Sequence, residues 1–159
     1  MNLVVIVLIL IALLFCLAFF TKRRFGVLGL ALAAGAMLSE TWAPGLTPYV
    51  RDAGVQLVAP PLENVIAAAL ILLPAILLLF SGPTYHTLWQ KFIGSAVFAL
   101  LALSFLLEPL GGALVLTGDS RTAYDFLIQH RTWIITGGIL YALVDLLMVK
   151  TPRHAKESH

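Results

Sequence analysis

Charge is what this chain has least of. Of its 159 residues only 11% are Asp, Glu, Lys or Arg, while 60% are hydrophobic. A soluble domain carries about 25% charged residues. Too few charges remain here to cover a water-facing surface, which excludes an ordinary soluble fold and indicates an integral membrane protein. A net charge of +2 is too small to argue for nucleic acid. The single cysteine, Cys16, excludes an intramolecular disulfide, and one thiol makes no metal site. None of the four histidines, His86, His130, His154 and His159, pairs at i+3 or i+4 with another ligand inside an apolar run. No metal site and no cofactor are expected. The sequence has no GxSxG, HExxH, Walker loop or paired-cysteine motif. Ser95 and Ser104 lie in an apolar run without a His or Lys at matching depth. An enzyme is therefore not expected.

What the chain has is long apolar runs. A spanning helix needs about 20 mostly apolar residues. Residues 2–21, 25–43, 62–81, 92–110 and 132–149 each meet that need. The fold class is all-α integral membrane protein with five transmembrane helices, or four if one of the two weaker runs only lies in the interface. Residues 1–150 form one transmembrane domain, and 151–159 form a polar, basic tail. The first run has no positive segment before it and no small-residue cleavage site after it, so an uncleaved helix is expected. Pro74 sits in the middle of the third run and should kink it. The stretch "LGGALVL" at 110–116 either extends the fourth helix or folds back as a re-entrant piece.

Lys and Arg are retained on the cytoplasmic side of a membrane. With the N-terminus outside, the inner segments hold Lys22, Arg23, Arg24, Lys91, Lys150, Arg153 and Lys156, and the outer ones hold Arg51, Arg121 and Arg131. That is seven cations against three. The expected location is the inner (plasma) membrane, N-terminus outside and C-terminus cytoplasmic. "TKRR" then reads as a tight cytoplasmic turn, with Lys22, Arg23 and Arg24 setting topology. So short a turn implies that the first two helices form an antiparallel hairpin. On the outer side, Leu46, Val50, Ala53 and Leu57 recur at helical spacing, as do Tyr124, Leu127 and Ile128. Both stripes predict short amphipathic helices, lying on the membrane surface or capping the bundle.

In the second run, Ala31, Gly35 and Ser39 share one face. Small residues let helix backbones approach closely in lipid. The stripe serves either an oligomer interface or a contact with another helix of the chain. Leu28 and Leu32 mark a bulkier side, expected to meet lipid or larger grooves. Gly138 and Ala142 form a weaker stripe in the fifth run, with Asp145 on the same face and Lys150 within reach. Ionisable residues within membranes are candidate sites by default. Glu40, Glu63, Glu108 and Asp145 are the candidates for an ion or proton site. The first three fall at the outer ends of their helices, where they either converge, with Arg51, or simply mark the water boundary. Expected partners are the lipid bilayer and other membrane subunits or further copies of this chain.

The uncharged first helix, the turn "KRRFG", the small-residue second helix and the Gly-containing segment "KFIGSAVFALLAL" resemble the colicin V production protein family over about residues 1–110. Lys22, Arg23, Gly26 and Gly94 carry the match. The resemblance implies a non-enzymatic role in bacteriocin export or envelope homeostasis in the bacterial inner membrane, and it implies no site residues.

Overall fold

The computed structural model describes residues 3–21, 24–55, 57, 60–80, 87–113 and 119–148. Five α-helices account for nearly all of them: α1 (Leu3–Thr21), α2 (Phe25–Asp52), α3 (Leu62–Leu79), α4 (Leu88–Ala113) and α5 (Asp119–Leu147). Three, α2, α3 and α4, are long and apolar enough to cross a membrane, and α1 adds the shorter apolar stretch Val5–Thr21. The tail from 151 lies outside the described residues.

The helices run alternately up and down. One end of the bundle carries the turn between α1 and α2, and is called the basic end below. The other carries the three glutamates. α4 is the axis and touches all four other helices. Phe98, Leu101, Ala102, Ser104 and Leu107 on it are each at most 2% exposed. Around it, α2 packs most extensively on α3 and then on α5, while α1 lies chiefly on α4. The α1–α2 hairpin expectation therefore holds in direction, while the main packing of α1 is on α4. On α2, Gly26 and Gly29 abut α5, and Gly35 abuts α3.

The outward faces are apolar. Leu8, Ile9, Leu13 and Phe20 on α1, Leu73, Ile76 and Leu77 on α3, and Leu140 and Leu147 on α5 are all exposed. Apolar surface this extensive on a folded chain suits hydrocarbon surroundings rather than water.

The two amphipathic stripes are not separate helices. Leu46–Asp52 continues α2 without a break, through Pro44 and Pro48. Each proline leaves the carbonyl four residues earlier without its helical donor. Those carbonyls belong to Glu40 and Pro44, which are exposed, as are both prolines. On the buried side of this segment the Thr47 hydroxyl adds a bond to the Ala43 carbonyl at 2.7 Å. Likewise residues 119–131 are the first half of α5, where no Gly or Pro interrupts the chain before Gly137. Tyr124 and Leu127 do not face a membrane surface but pack on Val7, Leu103 and Leu107. α3 remains helical through Pro74. α4 runs on to Ala113, so 110–113 extends it, while 114–118 lies outside the described residues.

Candidate functional site

At the basic end, Arg24 closes the turn with extended backbone, φ −71° and ψ 133°, and its side chain does not cap its own helix. The cap comes from α5. Asp145 Oδ2 accepts the Gly26 backbone N–H at 2.8 Å, and Arg24 Nη2 lies 3.5 Å from Asp145 Oδ1. The first N–H groups of a helix have no partner within it, and the helix dipole favours an anion there. Asp145, 8% exposed, supplies both an acceptor and a charge. Burying a carboxylate costs free energy unless it is paired and hydrogen-bonded, as it is here.

Close backbone approach makes this junction. A Cβ built on Gly26 would sit 2.7 Å from the Ala142 carbonyl oxygen, and one on Gly29 3.0 Å from the Ala142 Cβ. Gly138 meets α4 instead, with Leu101 Cδ1 2.9 Å from where its Cβ would be. Lys150, the partner the sequence offered Asp145, lies outside the described residues, as do Lys22 and Arg23. Arg24, expected only to set topology, is the observed partner. A cavity of about 530 Å³ opens beside this pair, lined by Arg24, Gln90, Tyr141, Asp145 and Met148 among others. Nearby, Lys91 is 9% exposed and holds its Nζ 3.7 Å from the centroid of the Phe19 ring, a cation–π contact.

The stripe Ala31, Gly35, Ser39 is buried within the chain and extends through Ala43 and Thr47. Gly35 abuts α3: its Cβ would lie 2.8 Å from the Leu70 carbonyl oxygen and closer still to that of Ile71. Within the chain, the Gly35 position of the stripe is thus filled by α3 backbone. Leu28 and Leu32, expected to meet lipid or larger grooves, are 1% and 0% exposed. They pack in the core because α4 and α5 flank α2 on that side.

At the opposite end the three glutamates do converge. Glu40 from α2, Glu63 from α3 and Glu108 from α4 line one cavity of about 320 Å³, with Ser39 and Asn64 on its wall. The cation there is Arg131 of α5, not Arg51. Arg131 Nη1 donates to Glu108 Oε2 at 2.9 Å, while its Nε is enclosed and has no partner among the described residues. Glu108 is 72% exposed, so this pair is worth at most about 1 kcal/mol. Tyr124 stands beside it. Burial first, and then the Glu108 carboxylate, raise its phenol above the ordinary value of 10.0. Among the described residues no three His, Cys, Asp or Glu side chains are grouped to hold a metal ion.

Gly29 and Asn64 were not singled out from the sequence, Gly26 was noted only for the resemblance, and Arg131 only as an outer cation. The glycine pair at i and i+3 in "FGVLG" was a usable signal for the α5 contact. Arg131 was hidden by assigning 119–131 to the surface. Between the two ends, Leu32, Phe98, Leu101 and Ala102 fill the interior at 2% exposure or less. No family model, curated protein or solved structure matches the chain.

Proposed function

We propose that this chain is a small multispan protein of the bacterial inner membrane that works as a scaffold or accessory subunit, through contacts of its helices with other membrane subunits. In this reading it crosses the bilayer five times, N-terminus outside and C-terminus cytoplasmic. Asp145, the one buried carboxylate at the basic end among the described residues, joins α2 to α5, and this observation carries the proposal. A transport site needs an ionisable group that can exchange partners, whereas Asp145 is held by a backbone N–H and a cation. The resemblance to colicin V production proteins points the role toward bacteriocin export or envelope homeostasis. Photo-crosslinkers placed at exposed Leu73, Ile76 and Leu140 in living cells are expected to trap a discrete membrane-protein adduct. That adduct should persist in Glu108→Gln.

A second reading, a small transporter or channel subunit, is favoured by the cavity that gathers Glu40, Glu63 and Glu108. Proteoliposomes separate the two. Proton or cation flux above that of empty vesicles, abolished by Glu40→Gln with Glu63→Gln, would overturn the scaffold reading.

A further inference from the structure

Two cavities meet at the glutamate end, and they differ in character. The first is the carboxylate-lined cavity already described. Glu40, Glu63 and Glu108 against Arg131 leave it a formal charge of −2. The second, about 250 Å³, is an apolar crevice between α1, α3 and α4, lined by Leu10, Val65, Ala68, Leu72, Leu106 and Leu110 among others. Asn64 and Pro109 line both, so a single wall separates them. On α3 the crevice runs from Asn64 to Leu72, about 12 Å at 1.5 Å per residue.

Polar groups in the charged cavity lack partners. Ser39 is 7% exposed, lines the cavity, and its hydroxyl has no hydrogen-bond partner among the described residues. Arg131 spends Nη1 on Glu108 and makes no other hydrogen bond among the described residues. Glu40 and Glu63 line the same cavity, and both are exposed at its mouth. The Ser39 hydroxyl on the wall, exposed carboxylates around the mouth and a guanidinium with one bond made form an arrangement that a ligand carrying both signs of charge completes.

We infer that this end of the bundle binds a phospholipid with a zwitterionic headgroup bearing a primary ammonium. The ammonium has three N–H donors for the glutamate carboxylates. The phosphate suits Arg131 Nη2, the guanidinium nitrogen neither enclosed nor bonded to Glu108, as a charged donor. An acyl chain leaves past Asn64 and Pro109 into the crevice between α1 and α3, where those two helices leave α4 uncovered. The inference stands on the two cavities and does not depend on the scaffold reading. The lipid is a bound partner, not a cargo.

The test uses the full chain, delipidated in maltoside detergent, with tryptophan fluorescence reporting its melting midpoint. Three lipids with identical chains are titrated: phosphatidylethanolamine, phosphatidylcholine and phosphatidylglycerol. A quaternary ammonium has no N–H to donate, and a glycerol headgroup offers the carboxylates no cation. Phosphatidylethanolamine is expected to raise the midpoint at about tenfold lower mole fraction than phosphatidylcholine, the equivalent of one charged hydrogen bond. Glu40→Gln with Glu63→Gln leaves the Glu108–Arg131 pair intact and should abolish that difference. Val65→Phe, at an exposed crevice position, should weaken phosphatidylethanolamine binding without altering the melting of the lipid-free protein. Equal shifts from phosphatidylethanolamine and phosphatidylcholine would mean only non-specific surrounding lipid, and would overturn the inference. So would a preference for phosphatidylglycerol, or a phosphatidylethanolamine preference that survives the double glutamine variant.

Discussion

Two glycines ten residues apart on α2 make opposite demands on the same substitution. At Gly35 a methyl group would lie 2.8 Å from the Leu70 carbonyl oxygen and 2.9 Å from the Ile71 carbonyl carbon. Ordinary contact begins at about 3.4 Å, and the atoms in the way are α3 backbone, which cannot rotate aside. Gly35→Ala must therefore push α2 and α3 apart by more than half an ångström. A gap of 0.5–1 Å forfeits roughly a quarter to a half of each dispersion contact along the seam. Helices in lipid associate largely through such contacts. Overpacking of this kind costs about 1–3 kcal/mol. Gly45 has nothing within 4 Å of its would-be Cβ. There alanine only gains helix propensity, about 0.5–1 kcal/mol. The same chemical change should then separate the two variants by roughly 1.5–4 kcal/mol, with opposite signs relative to wild type. Reversible denaturation in mixed micelles, followed by tryptophan fluorescence, measures the separation. Gly35→Leu should be worse than Gly35→Ala, and a cysteine at position 35 should give no disulfide-linked dimer. Equal stability of Gly35→Ala and Gly45→Ala would refute the packing argument. A strong dimer band would move the stripe to an interface between copies.

Asp145→Ala should lower stability by about 1.5–3 kcal/mol, the range for a hydrogen bond to a charged group. Asp145→Asn, which keeps an acceptor for the Gly26 N–H, should cost clearly less, and an equal loss would show that the ion pair with Arg24 dominates. Because the folded protein raises the Tyr124 pKa, both states are protonated below about pH 10. Above it the unfolded chain ionises first, so stability should fall with rising pH through the folded-state value, and less steeply in Tyr124→Phe. Melting curves between pH 8 and 11 check this, and parallel profiles for the two proteins would remove Tyr124 from the account. Replacing Lys22, Arg23 and Arg24 by Gln should scramble insertion, read by labelling Asn2→Cys and Lys150→Cys in intact cells. External labelling at position 150 in the unaltered background would reverse the proposed orientation.

The helices were legible because apolar runs of about 20 residues between polar breaks have few other solutions. Their lengths were less so. Pro44 and the charges around Arg131 looked like ends, but proline is tolerated where the carbonyls it frees remain exposed. Charges at the end of a long helix also need not leave it. The Gly35 stripe was legible from its spacing, yet its partner was not. Which helix fills a groove depends on the order of helices around α4, and this order is a property of all five together. For the same reason the glutamates were recognisable one by one while their meeting was not. Asp145 was noticed as an acid on a small-residue face. That it caps α2 could not be read, because its partner N–H belongs to backbone and carries no sequence signature.

The bond between Gly26 and Asp145 joins residues 119 positions apart. Ribosomes add about 5–20 residues per second. For roughly 6–24 s after Gly26 is made, the N-terminus of α2 therefore waits without its acceptor, and the groove at Gly26 and Gly29 stands open. In that interval the first four helices lack the contacts that α5 makes with α2 and α4. The junction of α2 with α5 is thus the last of these contacts that synthesis makes available. A chain truncated before α5 would keep α2 uncapped by Asp145 and its Gly26–Gly29 groove empty.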